Sequence, residues 1–205
     1  MAITKASNSG IKTGVLKYDS MLAGNAAFIP TDFESIATVT VGSGGTSNVE
    51  FTSIPGTYAH LQLRYIAQSS SGGSADIMNV QMQFNSDTAA NYKRHYLLGT
   101  GAAVSAGADT SRSNIVIGTA PTNDYTNCFN AGVVDILDYA NTNKNKTVRT
   151  LDGNDQNSGD TLSRMWFESA LWVSTSAITS IKVTMESSRT IRQYSSFALY
   201  GIKSA

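Results

Sequence analysis

The chain has 205 residues, of which 63 are Ser, Thr or Asn and only 15% are charged. Fifteen basic and fifteen acidic side chains cancel to zero net charge, so the positive field that nucleic-acid binding draws on is missing and that partner class is set aside. Hydrophobic residues at 41% argue against wholesale disorder, and the length suits one domain, or one domain with an appended arm.

Residues 1–32 show no sustained period of 2 or 3.6, yet they carry Val15, Leu16, Tyr18, Met21, Leu22, Phe28 and Ile29. Apolar anchors without a period predict an extended N-terminal arm that docks on a partner, a neighbouring subunit or its own domain. From Phe33 to the end the period is 2, and residues 33–205 read as one β-sandwich domain. Ile36–Val41 and Asn48–Ser53 flank a Gly/Ser cluster and predict a hairpin. Ala59–Ala67 places Leu61, Leu63 and Tyr65 inward, with His60, Gln62 and Arg64 outward. The cleanest alternation is Met78, Val80, Met82 and Phe84 against Asn79, Gln81, Gln83 and Asn85. Tyr92–Leu98 is another strand, Gly99–Ser113 a long small-residue loop, and Ile115–Ile117 a short strand.

Phe129–Leu137 is apolar on both faces, which predicts a central strand. Lys146–Leu151, Leu162–Trp172, Ile178–Met185 and Phe197–Ile202 complete about ten strands, with a polar loop over Asp152–Asp160. Short helical turns are expected at Asp87–Asn91 and around Val173–Ile178. Many short strands between Gly/Ser turns give an all-β, antiparallel sandwich, with jelly-roll-like connectivity as the preferred topology.

The first residues lack a secretory h-region and no stretch approaches the ~20 apolar residues of a membrane span, so the chain reads as soluble and made in a cytoplasm, without membrane insertion. Cys128 is the only cysteine, so neither an internal disulfide nor a cysteine-rich zinc site can form; it reads as a small buried hydrophobe.

Four stretches carry a resemblance: Phe51–Arg64 (FTSIPGTYAHLQLR), Phe84–Tyr92 (FNSDTAANY), Asp135–Lys144 with Lys146–Arg149, and Tyr194–Lys203, which closes on Ala-Leu-Tyr-Gly-Ile-Lys. They resemble a group of small β-rich virion proteins of tailed bacteriophages, of the type found in phages of cyanobacteria and marine bacteria. The resemblance spans most of residues 33–203. It implies a structural role on the virion surface, in a capsid-decorating, fibre or tail protein, with no catalytic residues to carry over. In that setting Phe51, Leu61 and Leu63 fit core positions, while Pro55-Gly56 and Asn85-Ser86-Asp87 fit turns.

Candidate sites are few. Asp135 and Asp138 are three apart on a strand and so point to opposite faces, whereas glycosidase chemistry needs two carboxyls on one cleft. Asp152-Gly-Asn-Asp155-Gln-Asn157-Ser-Gly-Asp160 has hard oxygens on alternating residues, but no bidentate Glu closes it as calcium loops require. Trp166 and Trp172 are the candidate glycan-stacking or interface aromatics. No cofactor motif and no metal site is expected. The partners expected are further copies of the chain, as a homotrimer at local three-fold positions, and the major capsid protein or tail proteins; a host-surface glycan belongs to the fibre alternative. A polysaccharide-active enzyme is the remaining alternative.

Overall fold

The alternating runs become antiparallel strands because each has one face to bury and one to hydrate or pair. In the computed structural model of the chain, the described residues are 33–70, 77–122, 127–155 and 163–203. The chain divides into two units, Met1–Thr31 and Asp32–Ala205, and the strands belong to the second. The arm expected over 1–32, with its anchors from Val15 to Ile29, lies outside the described residues.

The strands among the described residues are β1 (Phe33–Thr40), β2 (Asn48–Phe51), β3 (His60–Ala67), β4 (Ile77–Phe84), β5 (Tyr92–Gly99), β6 (Val104–Arg112), β7 (Ile115–Pro121), β8 (Asn130–Leu137), β9 (Lys146–Asn154), β10 (Arg164–Trp172), β11 (Ile181–Met185) and β12 (Ser196–Ile202). They form an eight-stranded sheet, β1-β12-β3-β8-β9-β10-β5-β6, and a four-stranded sheet, β2-β11-β4-β7. Both sheets are antiparallel throughout. Leu61, Leu63, Phe197 and Leu199 of the large sheet share one core with Val80, Met82, Phe84 and Val183 of the small one. The fold is an all-β sandwich.

The pairing has a simple order. β1 pairs β12, β2 pairs β11, β3 pairs β8 and β4 pairs β7. Taken in turn, the four pairs alternate between the large and the small sheet, like one long hairpin of four strand pairs folded over itself. Two further hairpins, β5–β6 and β9–β10, join each other through β10·β5 and widen the large sheet beyond β8.

Several local expectations change. The loop expected over Gly99–Ser113 contains β6, an edge strand with mostly small, exposed side chains; backbone pairing to β5 builds it, and that leaves no hydropathy pattern. Asp152, Gly153 and Asn154 belong to β9 rather than to a polar loop. No helix forms at Asp87–Asn91 or Val173–Ile178. Instead Asp87 Oδ1 accepts the Ala89 N–H at 2.9 Å, and the Ile178 N–H reaches the Tyr139 carbonyl at 2.9 Å. A 3-10 turn covers Glu186–Ser188. The turn expected at Asn85-Ser86-Asp87 is present, with φ of 50° and 57° at its first two residues. Asn85 Oδ1 accepts the N–H groups of Thr179 and Ser180 at 2.8 and 3.1 Å, tying this turn to the approach of β11.

Candidate functional site

The outer face of the large sheet is the unusual surface. Register places Arg64, Val133, Leu151, Phe167, Leu97 and Ala106 side by side across β3, β8, β9, β10, β5 and β6. The adjacent row on the same face is Ile66, Ala131, Gly153, Met165, Gly99 and Val104. Among the described residues, nine large apolar side chains are exposed, and seven of them lie in these two rows, between 37% and 83% exposed. Scattered apolar residues on a surface need no explanation, but a contiguous patch does.

The rows also have relief. Val133, Leu151, Phe167 and Leu97 make a ridge, while Ala131, Gly153 and Gly99 lower the surface beside it. A groove of ≈ 890 Å³ runs there, lined by Arg64, Val133, Leu151, Gly153 and Met165 among others. A polar border follows one row further. Arg149 and Gln62 both reach Asp135, at 3.1 and 2.8 Å, and Arg64 Nε donates to Gln62 Oε1 at 2.7 Å.

The same strands carry the opposite chemistry on their inner face. Glu168 is fully buried; its Oε2 accepts from Arg94 Nη1 and from the Trp166 indole N–H, each at 3.1 Å. Arg94 Nε continues to Asp109 Oδ2 at 2.6 Å, and Arg112 joins the same oxygen at 3.2 Å. Asp152, 3% exposed, accepts the Thr119 N–H at 2.8 Å and the Asn130 amide at 2.7 Å. Burial pushes the Asp152 carboxyl up to about 7, against those donors. Burial also raises Glu168 to about 7, and the Arg94 guanidinium opposes the rise. Asp109 is held low by Arg94. Gly118 on β7 lies directly over this layer: its φ is +146°, and a Cβ there would meet the Asp152 carboxyl and the Tyr65 hydroxyl.

The sequence-derived candidates now have places. Trp166 and Trp172 are 6% and 2% exposed and face inward. Trp166 packs on Tyr96 with ring centres 5.0 Å apart; Trp172 packs on Phe84 at 5.5 Å and donates to Asp87 Oδ2 at 2.7 Å. Of the glycan-stacking and packing or interface readings of these positions, burial favours packing, because alternation turns both indoles into the sandwich. The exposed aromatic of that strand is the neighbour, Phe167. The hard-oxygen loop is corrected at its start, because Asp152 points into the core; residues 156–160 lie outside the described residues. Asp135 lies on the outer face, while Asp138 sits in the turn after β8, with φ of 51° and Lys144 Nζ at 2.5 Å, so the two stay apart. Cys128 is buried, its Sγ 3.3 Å from the Asp155 carbonyl, and burial raises the thiol.

Parity could have located the outer rows, since Met165 and Phe167 alternate with Trp166 and Glu168. The larger aromatics drew attention to the wrong face. Among the described residues no group of three or more His, Cys, Asp and Glu is placed to hold a metal, and no helix is long and apolar enough to cross a membrane. Comparison with family models, curated proteins and solved structures finds no match to this chain.

Proposed function

We propose that the chain is a structural component of a tailed-phage particle, most simply a capsid decoration or cement protein that works as a homo-oligomer on the virion surface. The observation that carries this reading is the distribution of chemistry over the large sheet. Its buried acids are tied into the fold, and its broad exposed face is apolar. A surface of that kind suits adhesion, where each 100 Å² of apolar area removed from water contributes about 2.5 kcal/mol.

Two further features support the reading. The pairing of β1 with β12, β2 with β11, β3 with β8 and β4 with β7 favours a jelly roll widened by two hairpins, an architecture shared by viral capsid and lectin domains. Residues 1–32 supply apolar anchors that would grip the major capsid protein. The fibre alternative, in which Ser/Gly loops at 68–76 and 100–113 meet a host glycan, gains no support from Trp166 and Trp172, which are buried.

The test is the copy number per purified particle, by quantitative mass spectrometry against the major shell protein. A simple ratio to that protein is expected, and particles lacking the chain should open at lower temperature and under milder osmotic shock. A handful of copies would move the protein to the tail. Absence from the particle would end the proposal.

A further inference from the structure

The outer face of the large sheet is self-complementary, and we propose that it pairs with the same face of a second copy of this chain about a twofold axis. The proposal rests on reading this face as an adhesive surface, and it names the occupant.

The argument begins with register. A twofold axis lying in the interface plane, perpendicular to the strands and midway between the two apolar rows, exchanges one row for the other. Each strand then lies over its own counterpart, running in the opposite direction. Leu151 comes to sit over Gly153 of the second copy, Leu97 over Gly99 and Val133 over Ala131. On β10, Phe167 meets Met165, a sulfur–aromatic contact. Large residues thus meet small ones on four strands, Val104 over Ala106 on β6 being the fourth, while on β3 Arg64 comes to lie over Ile66; each contact occurs twice, as an isologous interface requires. The groove floored by Gly153 receives the Leu151 side chain of the second copy.

Area and charge agree with this occupant. Six strands about 4.8 Å apart and about 26 Å long present a face of roughly 750 Å². A stable interface of standard size uses about 800 Å² per partner. From β8 to β6 the two rows form an apolar centre, and Arg64 on β3 with the row of Gln62, Asp135, Arg149, Ser169 and His95 forms a polar border, the anatomy of a specific interface. Asp135 and Arg149 neutralise each other within the border, and Arg64, at the β3 end of the first row, keeps its guanidinium near the Phe33 and Tyr200 rings. A twofold pair, rather than the homotrimer suggested by shell symmetry, is the assembly this face specifies.

The experiment is sedimentation equilibrium of the full chain over a wide concentration range. A monomer–dimer equilibrium is expected. Leu151→Glu should weaken it at least about tenfold by burying a charge. Gly153→Leu tests the relief itself: a Cβ at Gly153 meets only the Arg164 carbonyl at 3.6 Å, so the monomer accommodates it while the groove is filled. It too should weaken the dimer at least about tenfold, with circular dichroism and melting unchanged. Lys182→Glu, on the small sheet, should leave the dimer intact. A monomer at all concentrations, a trimer, or a dimer indifferent to both Leu151→Glu and Gly153→Leu would overturn the proposal. Particle copy number is read separately, so loss of this contact and loss of the virion reading are distinguishable.

Discussion

The two halves of the large sheet fill their inner faces differently. In β1-β12-β3-β8 the inward positions include Leu61, Leu63, Val134, Ile136, Phe197 and Leu199, and the outward ones include Gln62, Arg64 and Asp135 beside Ile66 and Val133. In β9-β10-β5-β6 the inward positions include Thr150, Asp152, Glu168 and Arg94, and the outward ones Leu151, Met165, Phe167 and Leu97. The cause is width. Eight strands face four, so the small sheet cannot back the whole of the large one; its edge strand β7 lies against β9, β10 and β5, and Phe84 of β4 packs on Tyr92 and Trp172. The first half has an apolar partner across the sandwich. The second sets a charged, hydrogen-bonded layer beside Tyr92, Val148 and Trp172 on its inner side, and carries further apolar residues on the outside. A sheet wider than its mate has two faces to satisfy, and alternation alone does not say which one meets water.

Removing Arg94 tests this contrast most severely. Arg94→Ala leaves Glu168 buried with the Trp166 indole as its remaining donor, and stranded buried charges cost about 3–5 kcal/mol. Chemical denaturation at pH 8 should show that loss. Adding Glu168→Gln should recover most of it, since the stranded charge is then gone. If Arg94→Ala were as stable as the parent chain, the inner layer would not be held by ion pairing.

Trp166 and Phe167 carry the comparison within a single dipeptide. Trp166→Ala should cost about 3–5 kcal/mol by emptying a packed site. Phe167→Ala, on the solvent side, should stay within about 0.5 kcal/mol for the monomer. Melting curves at low protein concentration separate the two, and equal losses would mean that both faces are buried in the free chain.

Much of this architecture was legible in the sequence. The inward sets of β3 and β4 followed from period 2, and the double-sided apolarity of β8 marked a central strand. β6 was not legible, because Ala106, Gly107 and Ala108 carry no alternation and the strand exists through its pairing to β5. Nor was the inward turn of Asp152: a carboxylate beside glycine and asparagine looks solvated until β7 is laid over it. The apolar outer rows depend on strand order, which joins residues from six separate segments. No local pattern contains that information.

Acidity should distinguish the halves more gently. The Asp152 carboxyl sits near 7 in the folded chain and returns to about 3.9 when unfolded. Between those values the folded state holds a proton that the unfolded state has released. Stability from this group is therefore full below about pH 4, falls as pH rises, and is flat above about pH 7. The span sets an upper size of about 4 kcal/mol. Glu168 acts in the same direction. Asp109 and Asp138, held low by Arg94 and Lys144, lose their contribution only on further acidification, so they leave this window clear. Melting at pH 5 should exceed melting at pH 8, and Asp152→Asn should flatten the difference. A chain equally stable at both values would mean that Asp152 stays ionised in the fold.

The smallest stability effect belongs to the outer face. Leu151 is 53% exposed, with Val133 and Phe167 as its cross-strand neighbours. Such pairs contribute about 0.2–1 kcal/mol each, and threonine keeps the strand preference of the site. The unfolded chain exposes this leucine as well, so little apolar burial is at stake in the monomer. Leu151→Thr should therefore shift the urea midpoint by no more than about 1 kcal/mol in stability terms, while making the protein measurably less prone to associate. A large loss in the dilute monomer would show that this face is covered without a second copy, and the contrast between the two halves would then have to be redrawn around whatever covers it.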